Sequence, residues 1–295
     1  MRVFGAIDIG SNAARLLICE VYELDGQLHY KKRSLVRVPL RLGEEVFEKG
    51  SIPESKQADI LNSMKAYRAL LDVNKVSVYK AVATSAMRDA SNGAEIVAEV
   101  KRQTGIGIEI ITGKVEAKLL YATHFEELLD PSKSYLYVDV GGGSTEVSLF
   151  SKGEMTNTRS FNIGTIRLMK DLVAHEQWQE MKSWIQIHTE SKKEIIAIGS
   201  GGNINKLYKL NGSRPDKRIS FKELEALYTE LEDYSYLERI TKLGMRSDRA
   251  DVIMPATKVF IKVMGWAKVD DIYVPKFGLS DGIIRILAKQ LKLAS

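Results

Sequence analysis

The apolar run from Val3 to Ile7 reads as a buried strand. Gly10-Ser11-Asn12 follows as a tight turn, and Arg15 to Tyr22 returns as the second arm of a hairpin. His29 to Val38 predicts a third strand. Pro53-Glu54-Ser55 opens a helix whose apolar positions Ile60, Leu61, Met64, Tyr67, Leu70 and Leu71 fall at helical spacing. Lys75 to Ala83 predicts a strand, Gly93 to Thr104 a helix, Ile108 to Thr112 a strand and Val115 to Glu127 a helix. Together these make one complete α/β unit.

After the turn Asp130-Pro131-Ser132 the pattern restarts. Tyr135 to Val138 is apolar, Asp139 ends the run, Gly141-Gly142-Gly143 turns and Thr145 to Phe150 returns. Residues 6–12 and 137–145 are therefore variants of one device: strand, aspartate, glycine turn, strand. The repetition predicts a duplication. A strand around Thr158 to Phe161, helices from Thr165 to Ser191, a strand from Glu194 to Ile198, and helices from Asn203 and from Phe221 follow; a strand from Asp271 to Val274 and a helix through Leu293 complete the chain. The expected fold class is α/β, with two duplicated domains of mixed sheets flanked by helices, residues 1–128 and 129–295. The last helix is a candidate to pack back on the first domain.

Composition narrows the function classes. Of 295 residues, 44% are hydrophobic and 27% charged, ordinary for a globular chain with a substantial core. The start lacks the apolar stretch and cleavage site of a secretory signal, and no window is apolar enough to cross a bilayer, so a soluble, cytoplasmic protein without a membrane partner is expected. Cys19 is the only cysteine and lies in an apolar run, which excludes an internal disulfide and fits a buried, inert thiol in a reducing compartment. His29, His124, His175 and His188 show no zinc-ligand spacing, so any metal must be held by oxygen. The net charge of +5 permits an anionic partner without requiring one. Lys31, Lys32, Arg33, Arg37 and Arg41 read equally as a basic rim or as a solvated strand edge.

The glycine turns carry the candidate chemistry. A hairpin that turns through glycine leaves N–H groups unobstructed by Cβ atoms, so a phosphate oxygen can approach them. A carboxylate just before such a turn suits hydrated Mg²⁺, which takes one or two carboxylates together with phosphate oxygens and water. Asp8 with Gly10, Ser11 and Asn12 supplies one such half-site; Asp139 with Gly141, Gly142, Gly143, Ser144 and Thr145 supplies another. One copy alone is better read as a β-turn with a capping aspartate, whereas two copies in matching places predict a facing pair that clamps one anion in an interdomain cleft. A third cluster, Gly199-Ser200-Gly201-Gly202, follows a strand and precedes a helix, as an anion site or as a tight strand-to-helix connection. The chain has neither a P-loop nor the dinucleotide glycine fingerprint.

In this order the three glycine elements resemble the phosphate and adenosine motifs of the actin, Hsp70 and sugar kinase superfamily. The chain more narrowly resembles the exopolyphosphatase and guanosine pentaphosphate phosphatase family, through Asp8 to Asn12, Arg41-Leu42-Gly43-Glu44, Ala83 to Arg88 and Gly113 to Ala117. The likeness continues through Asp139 to Glu146, Gly164 to Leu168, Arg249-Ala250-Asp251 and Ser280-Asp281-Gly282, nearly the whole length.

This resemblance implies two ribonuclease H-like domains and hydrolysis of a terminal phosphate by water beside a catalytic glutamate, which falls on Glu116. It places the family's phosphate-contacting arginine on Arg88, at the end of a predicted strand, and metal-linked acids on Asp8, Asp139 and Glu146. Mg²⁺ is the implied cofactor, with Mn²⁺ left open. The implied partner is inorganic polyphosphate or guanosine pentaphosphate, not a nucleic acid polymer. Homodimers are frequent in the family, although no patch here demands one.

Three departures stand out. Val115 replaces the first of two adjacent family glutamates, Arg285-Ile286-Leu287 replaces an Arg-Glu-Gly, and the long members' C-terminal helical domain is expected to be absent, which tells against strong processivity on long polyphosphate. Two other readings stay in view: a kinase of the same superfamily, against which Glu116 argues, and a noncatalytic polyphosphate or alarmone binder, which Val115 keeps alive.

Overall fold

The computed structural model describes residues 1–122, 130, 132–190, 192, 194–275 and 277–293, with the backbone alone for 292 and 293. The chain divides into two compact units, residues 1–125 with 278–295 and residues 126–277.

The first unit is built on a mixed five-stranded sheet. β1 (Arg2–Ile9), β2 (Ala14–Leu24) and β3 (Gln27–Val38) form an antiparallel meander; β4 (Val78–Ala83) and β5 (Ile108–Ile110) lie parallel to β1, in the order β3-β2-β1-β4-β5. β1 is central and covered on both faces, which is why seven of its eight residues are buried and its sequence does not alternate. Val3, Ile7 and Ile9 join a core with Ile60, Met64, Tyr67 and Leu71 from the Glu54–Val73 helix. Gly5 makes that approach close, because a Cβ there would come within 2.6 Å of Leu71. The Leu279–Leu293 helix packs against β1, β2, β4 and the Gly113–Tyr121 helix. It is fastened to the edge strand β3 by a 2.7 Å Lys32–Asp281 ion pair and by the Arg285 guanidinium 4.1 Å over the Tyr30 ring.

The second unit repeats the plan. β6 (Ser134–Val140), β7 (Thr145–Ser151) and β8 (Glu154–Phe161) are antiparallel, β9 (Ile195–Ser200) is parallel to β6, and β10 (Arg218–Ser220) pairs antiparallel with β11 (Asp271–Tyr273). The order β8-β7-β6-β9-β11 reproduces that of the first sheet, with β10 added at the edge. Leu136, Val138, Val147 and Leu149 face a core with Phe260, Val263 and Met264 of the Ile253–Ala267 helix. The expected fold class is therefore observed: two mixed α/β sheets of one topology, each flanked by helices.

Several predicted elements change. Arg88 does not end a strand: β4 stops at Ala83, and Arg88 sits in a one-turn helix, Ser85–Asp89. The change follows from Thr84, whose N–H is the last to reach Ile9 O, and from Ala86, whose N–H turns to the Ser11 hydroxyl. The segment predicted as a strand from Lys75 begins pairing later, because Lys75 is left-handed at φ 53 and closes a turn on Asp72. The helices expected from Thr165 are observed as Thr165–Met169 and His175–Thr189, separated where Asp171 adopts φ 52. The helix predicted to Glu127 is Gly113–Tyr121; residues 123–127 of that prediction, and Ser191, lie outside the described residues. Among the described residues no helix is long and apolar enough to cross a membrane.

Candidate active site

In the first unit, separate stretches of sequence converge on the β1–β2 turn. Gly10 N–H donates to Ala13 O at 3.0 Å and closes it. The carbonyls of Ser11 and Asn12 accept from the N–H groups of Gly43 and Arg41. Ser11 Oγ lies 2.8 Å from Ser85 Oγ and accepts the Ala86 N–H at 3.2 Å, joining the turn to the helix that carries Arg88. Arg88 in turn donates to Ile111 O at 3.1 Å, immediately before Thr112. Thr112 caps the next helix by accepting from Val115 N, and this places Glu116 in its first turn. Glu116 is only 8% exposed, with Oε2 fully enclosed. Arg88 and Glu116 are thus fixed to the two ends of one short segment.

Asp8 is 4% exposed and accepts from Arg15 Nη1 at 2.9 Å; Arg15 is its direct partner on β2. The Asp8 carboxylate therefore already has a cation of its own hairpin.

The second unit is arranged differently around the same turn. Gly141 N–H donates to Ser144 O, and the carbonyls of Gly141, Gly142 and Gly143 accept from Thr165 N, Ile166 N and Arg167 Nε. Gly164 must be glycine for this clasp, since a Cβ would stand 2.4 Å from Gly142 O. With the carbonyls held, the N–H groups of Gly142, Gly143 and Ser144 have no backbone acceptor among the described residues. Thr145 is fully buried and its hydroxyl donates to Ile163 O, so it serves the turn. Asp139 and Glu146 are direct cross-strand partners and project from one face. Glu146 is 2% exposed, and its Oε1 accepts from Ser144 Oγ at 2.6 Å and Ser160 Oγ at 2.8 Å.

The third glycine cluster separates into distinct jobs. A Cβ on Gly199 would run into Ile204 and Ile272 at 2.9 Å, so the absence of a side chain here serves core packing. Ser200 donates to Phe277 O at 3.3 Å. Gly201, at φ 102, approaches Asp139 closely: a Cβ there would come within 3.0 Å of Asp139 Oδ1. Gly202 lets the Arg249 guanidinium reach the start of the Gly202–Leu210 helix, where a Cβ would lie 2.7 Å from Nη2.

The model of the Ppx/GppA phosphatase family matches residues 33–290. The chain belongs to this family. Exopolyphosphatase 1 of Mycobacterium tuberculosis is 21% identical over 300 residues, 95% of this chain and 86% of that protein. The crystal structure of the Aquifex aeolicus Ppx/GppA member is 26% identical with a TM-score of 0.77, covering 100% of this chain and 99% of its own. An exopolyphosphatase structure from Cytophaga hutchinsonii, 24% identical and covering 98% of each chain, has a TM-score of 0.84 and shows the shared fold.

For a member of the Ppx/GppA phosphatase family, the charge around the first turn is more local than the run of basic residues suggests. Lys32 pairs with Asp281, Arg33 lies 3.8 Å from Glu20, and Arg41 Nε donates to Glu44 at 2.7 Å. Three of the five cations in the run thus lie beside carboxylates of their own unit. Cys19 is buried, and burial above all, reinforced by Asp281, pushes its thiol up to about 11, so it is no nucleophile.

The metal-linked acids are read from their donors. Among the described residues no group of three or more His, Cys, Asp or Glu side chains converges on a point. Mg²⁺ needs fewer, and the opposed carboxylates Asp139 and Glu146 supply the all-oxygen donors that such an ion takes. Sequence reasoning missed Ser85, the clasp role of Gly164, and Ser160; the first two lie inside stretches singled out by the family likeness, and Ser160 carried no signal.

Proposed function

We propose that this chain is a Mg²⁺-assisted phosphohydrolase that releases the terminal phosphate of inorganic polyphosphate or the 5′-phosphate of guanosine pentaphosphate. The observation that carries this reading is the enclosed Glu116 carboxylate, held in a capped first helical turn whose entry carbonyl is gripped by Arg88. A carboxylate restrained in this way positions a water and accepts its proton as oxygen attacks phosphorus and the bridging P–O bond breaks. The Arg88 guanidinium offsets charge on the transferred phosphoryl group. The N–H groups of Gly142, Gly143 and Ser144, and the Gly10 to Asn12 turn, suit phosphate oxygens. Asp139 and Glu146 would hold Mg²⁺, which when bound neutralises phosphate charge and polarises the phosphoryl oxygens. Asp8 serves Arg15 in this scheme. A cytoplasmic setting goes with the single, buried cysteine.

The test is Mg²⁺-dependent phosphate release by the parent chain and by Glu116→Gln, with short polyphosphate, long polyphosphate and guanosine pentaphosphate supplied in parallel. The parent is expected to release phosphate from at least one, and Glu116→Gln to lose roughly 10²- to 10⁴-fold, the usual contribution of a general base. Binding without release from any of the three would establish a sensor instead.

A further inference from the structure

We propose that Ser160 is a positioning residue for the divalent-cation site of the second unit: its hydroxyl, with that of Ser144, fixes the Glu146 carboxylate opposite Asp139. The inference rests on the hydrolase reading above and adds a residue which that reading does not use.

Asp139, Glu146 and Ser160 are successive cross-strand partners on β6, β7 and β8, so their side chains share one face of the sheet. Directly opposed partners bring Cβ atoms to about 4.5–5.5 Å, and two carboxylates so placed repel one another. Glu146 has little access to bulk water to relieve this, being 2% exposed. Its side chain has three rotatable bonds, and it can turn away from Asp139 unless something holds it. Two donors do so from different elements. Ser144 reaches Oε1 from the glycine turn at 2.6 Å, and Ser160 reaches the same oxygen from the neighbouring strand at 2.8 Å. Hydrogen bonds to a ligating carboxylate set its orientation before the cation arrives, so their loss appears as weaker metal binding.

The same ladder supplies an internal control. Ser148 and Thr158, two residues farther along the same face, make a hydroxyl–hydroxyl contact of 2.8 Å. Removing that contact perturbs the β7–β8 pairing to a comparable extent without touching Glu146.

The experiment titrates Mn²⁺ into the full chain and reads free Mn²⁺ by electron paramagnetic resonance, for the parent, Ser160→Ala, Ser160→Thr, Thr158→Val and Glu146→Gln. Ser160→Ala is expected to weaken Mn²⁺ binding roughly tenfold, while Ser160→Thr and Thr158→Val stay within about twofold of the parent. In turnover, Ser160→Ala raises the Mg²⁺ concentration for half-maximal rate by the same factor and leaves the rate at saturating Mg²⁺ nearly unchanged. Should Ser160→Ala fail to fold, Ser160→Cys, a weaker donor of similar size, carries the test and is expected to fall between Ser160→Ala and the parent. If Ser160→Ala binds Mn²⁺ like Thr158→Val while Glu146→Gln abolishes binding, the positioning role is overturned and the cation site stands. If the parent binds no Mn²⁺, or Glu146→Gln binds it unchanged, the cation site falls and the role of Ser160 with it.

Discussion

The two glycine-turn hairpins share a backbone and differ in what they place on the face beside it. Across the first sheet the row reads Val82, Asp8, Arg15, Arg37, so that one carboxylate stands beside two guanidiniums. Across the second, the equivalent row reads Ser200, Asp139, Glu146, Ser160: two carboxylates flanked by hydroxyls. Each row occupies the same register next to the same turn. Both turns close through a glycine N–H onto a residue three positions on, while the rows beside them differ in charge. The first row carries more positive charge than the second, and a pair of carboxylates is the donor type that a hard cation takes. The same fold element thus carries opposite charge facing the aspartate, Arg15 in one unit and Glu146 in the other.

The sharpest way to break this contrast is to give the second row the charge pattern of the first. Glu146→Lys places a cation opposite Asp139 and is expected to abolish Mn²⁺ binding and cut phosphate release by roughly a hundredfold or more, beyond what loss of an outer partner costs; direct metal titration checks it.

Next in size is a comparison of the turns themselves. Gly164→Ala drives a Cβ into the Gly142 and Gly143 backbone and should cost about 1–3 kcal/mol or more, as overpacking does. Gly10→Ala meets only Ala13 O, at an ordinary 3.5 Å, and is expected to stay within about 0.5 kcal/mol in a denaturant titration.

Asp8→Asn then tests the first row. It leaves the part-buried Arg15 without its 2.9 Å carboxylate, and about 1–2 kcal/mol of stability should go with it, moderated because Arg15 keeps 33% of its side chain in solvent. Mn²⁺ affinity is expected to stay at the parent value, whereas a metal-holding Asp8 would lower it.

The smallest effect sets a baseline for charge outside either row. Glu223 is held down to about 2, first by the Ser220 N–H and then by Arg214 and the Ser220 hydroxyl. Because its folded value lies below the ordinary 4.5, its contribution is full near neutrality, shrinks as pH falls below 4.5 and is lost through about 2. The stability difference between the parent and Glu223→Gln should follow that course in denaturant titrations at stepped pH.

Much of this frame is legible from the chain alone. The repeated aspartate and glycine turn announces the repeated sheet topology, and the unbroken apolar runs of β1 and β6 mark central strands covered on both faces. What is not legible depends on register. Ser160 sits in a polar strand with nothing local to distinguish it, and it matters only because β8 aligns it with Glu146. Ser11 and Ser85 are 74 positions apart, and no spacing rule brings their hydroxyls to 2.8 Å. β10, at three residues, is shorter than any periodicity can detect. The apolar run before Arg88 predicts a strand end there, whereas the Ala86 N–H bonds the Ser11 hydroxyl and the segment forms a helix.

The Leu279–Leu293 helix also has a consequence for how the molecule is made. The second unit is one contiguous stretch, while the first is closed by a segment translated about 150 residues after the rest of it, by the order in which domains emerge during synthesis. Until that segment leaves the ribosome, the face of β1 on which the helix packs lacks the cover this helix supplies. The first half of the nascent chain must therefore wait, partly finished, while the second half is completed, and it is the stretch for which a chaperone that shields apolar sheet faces has the most to do.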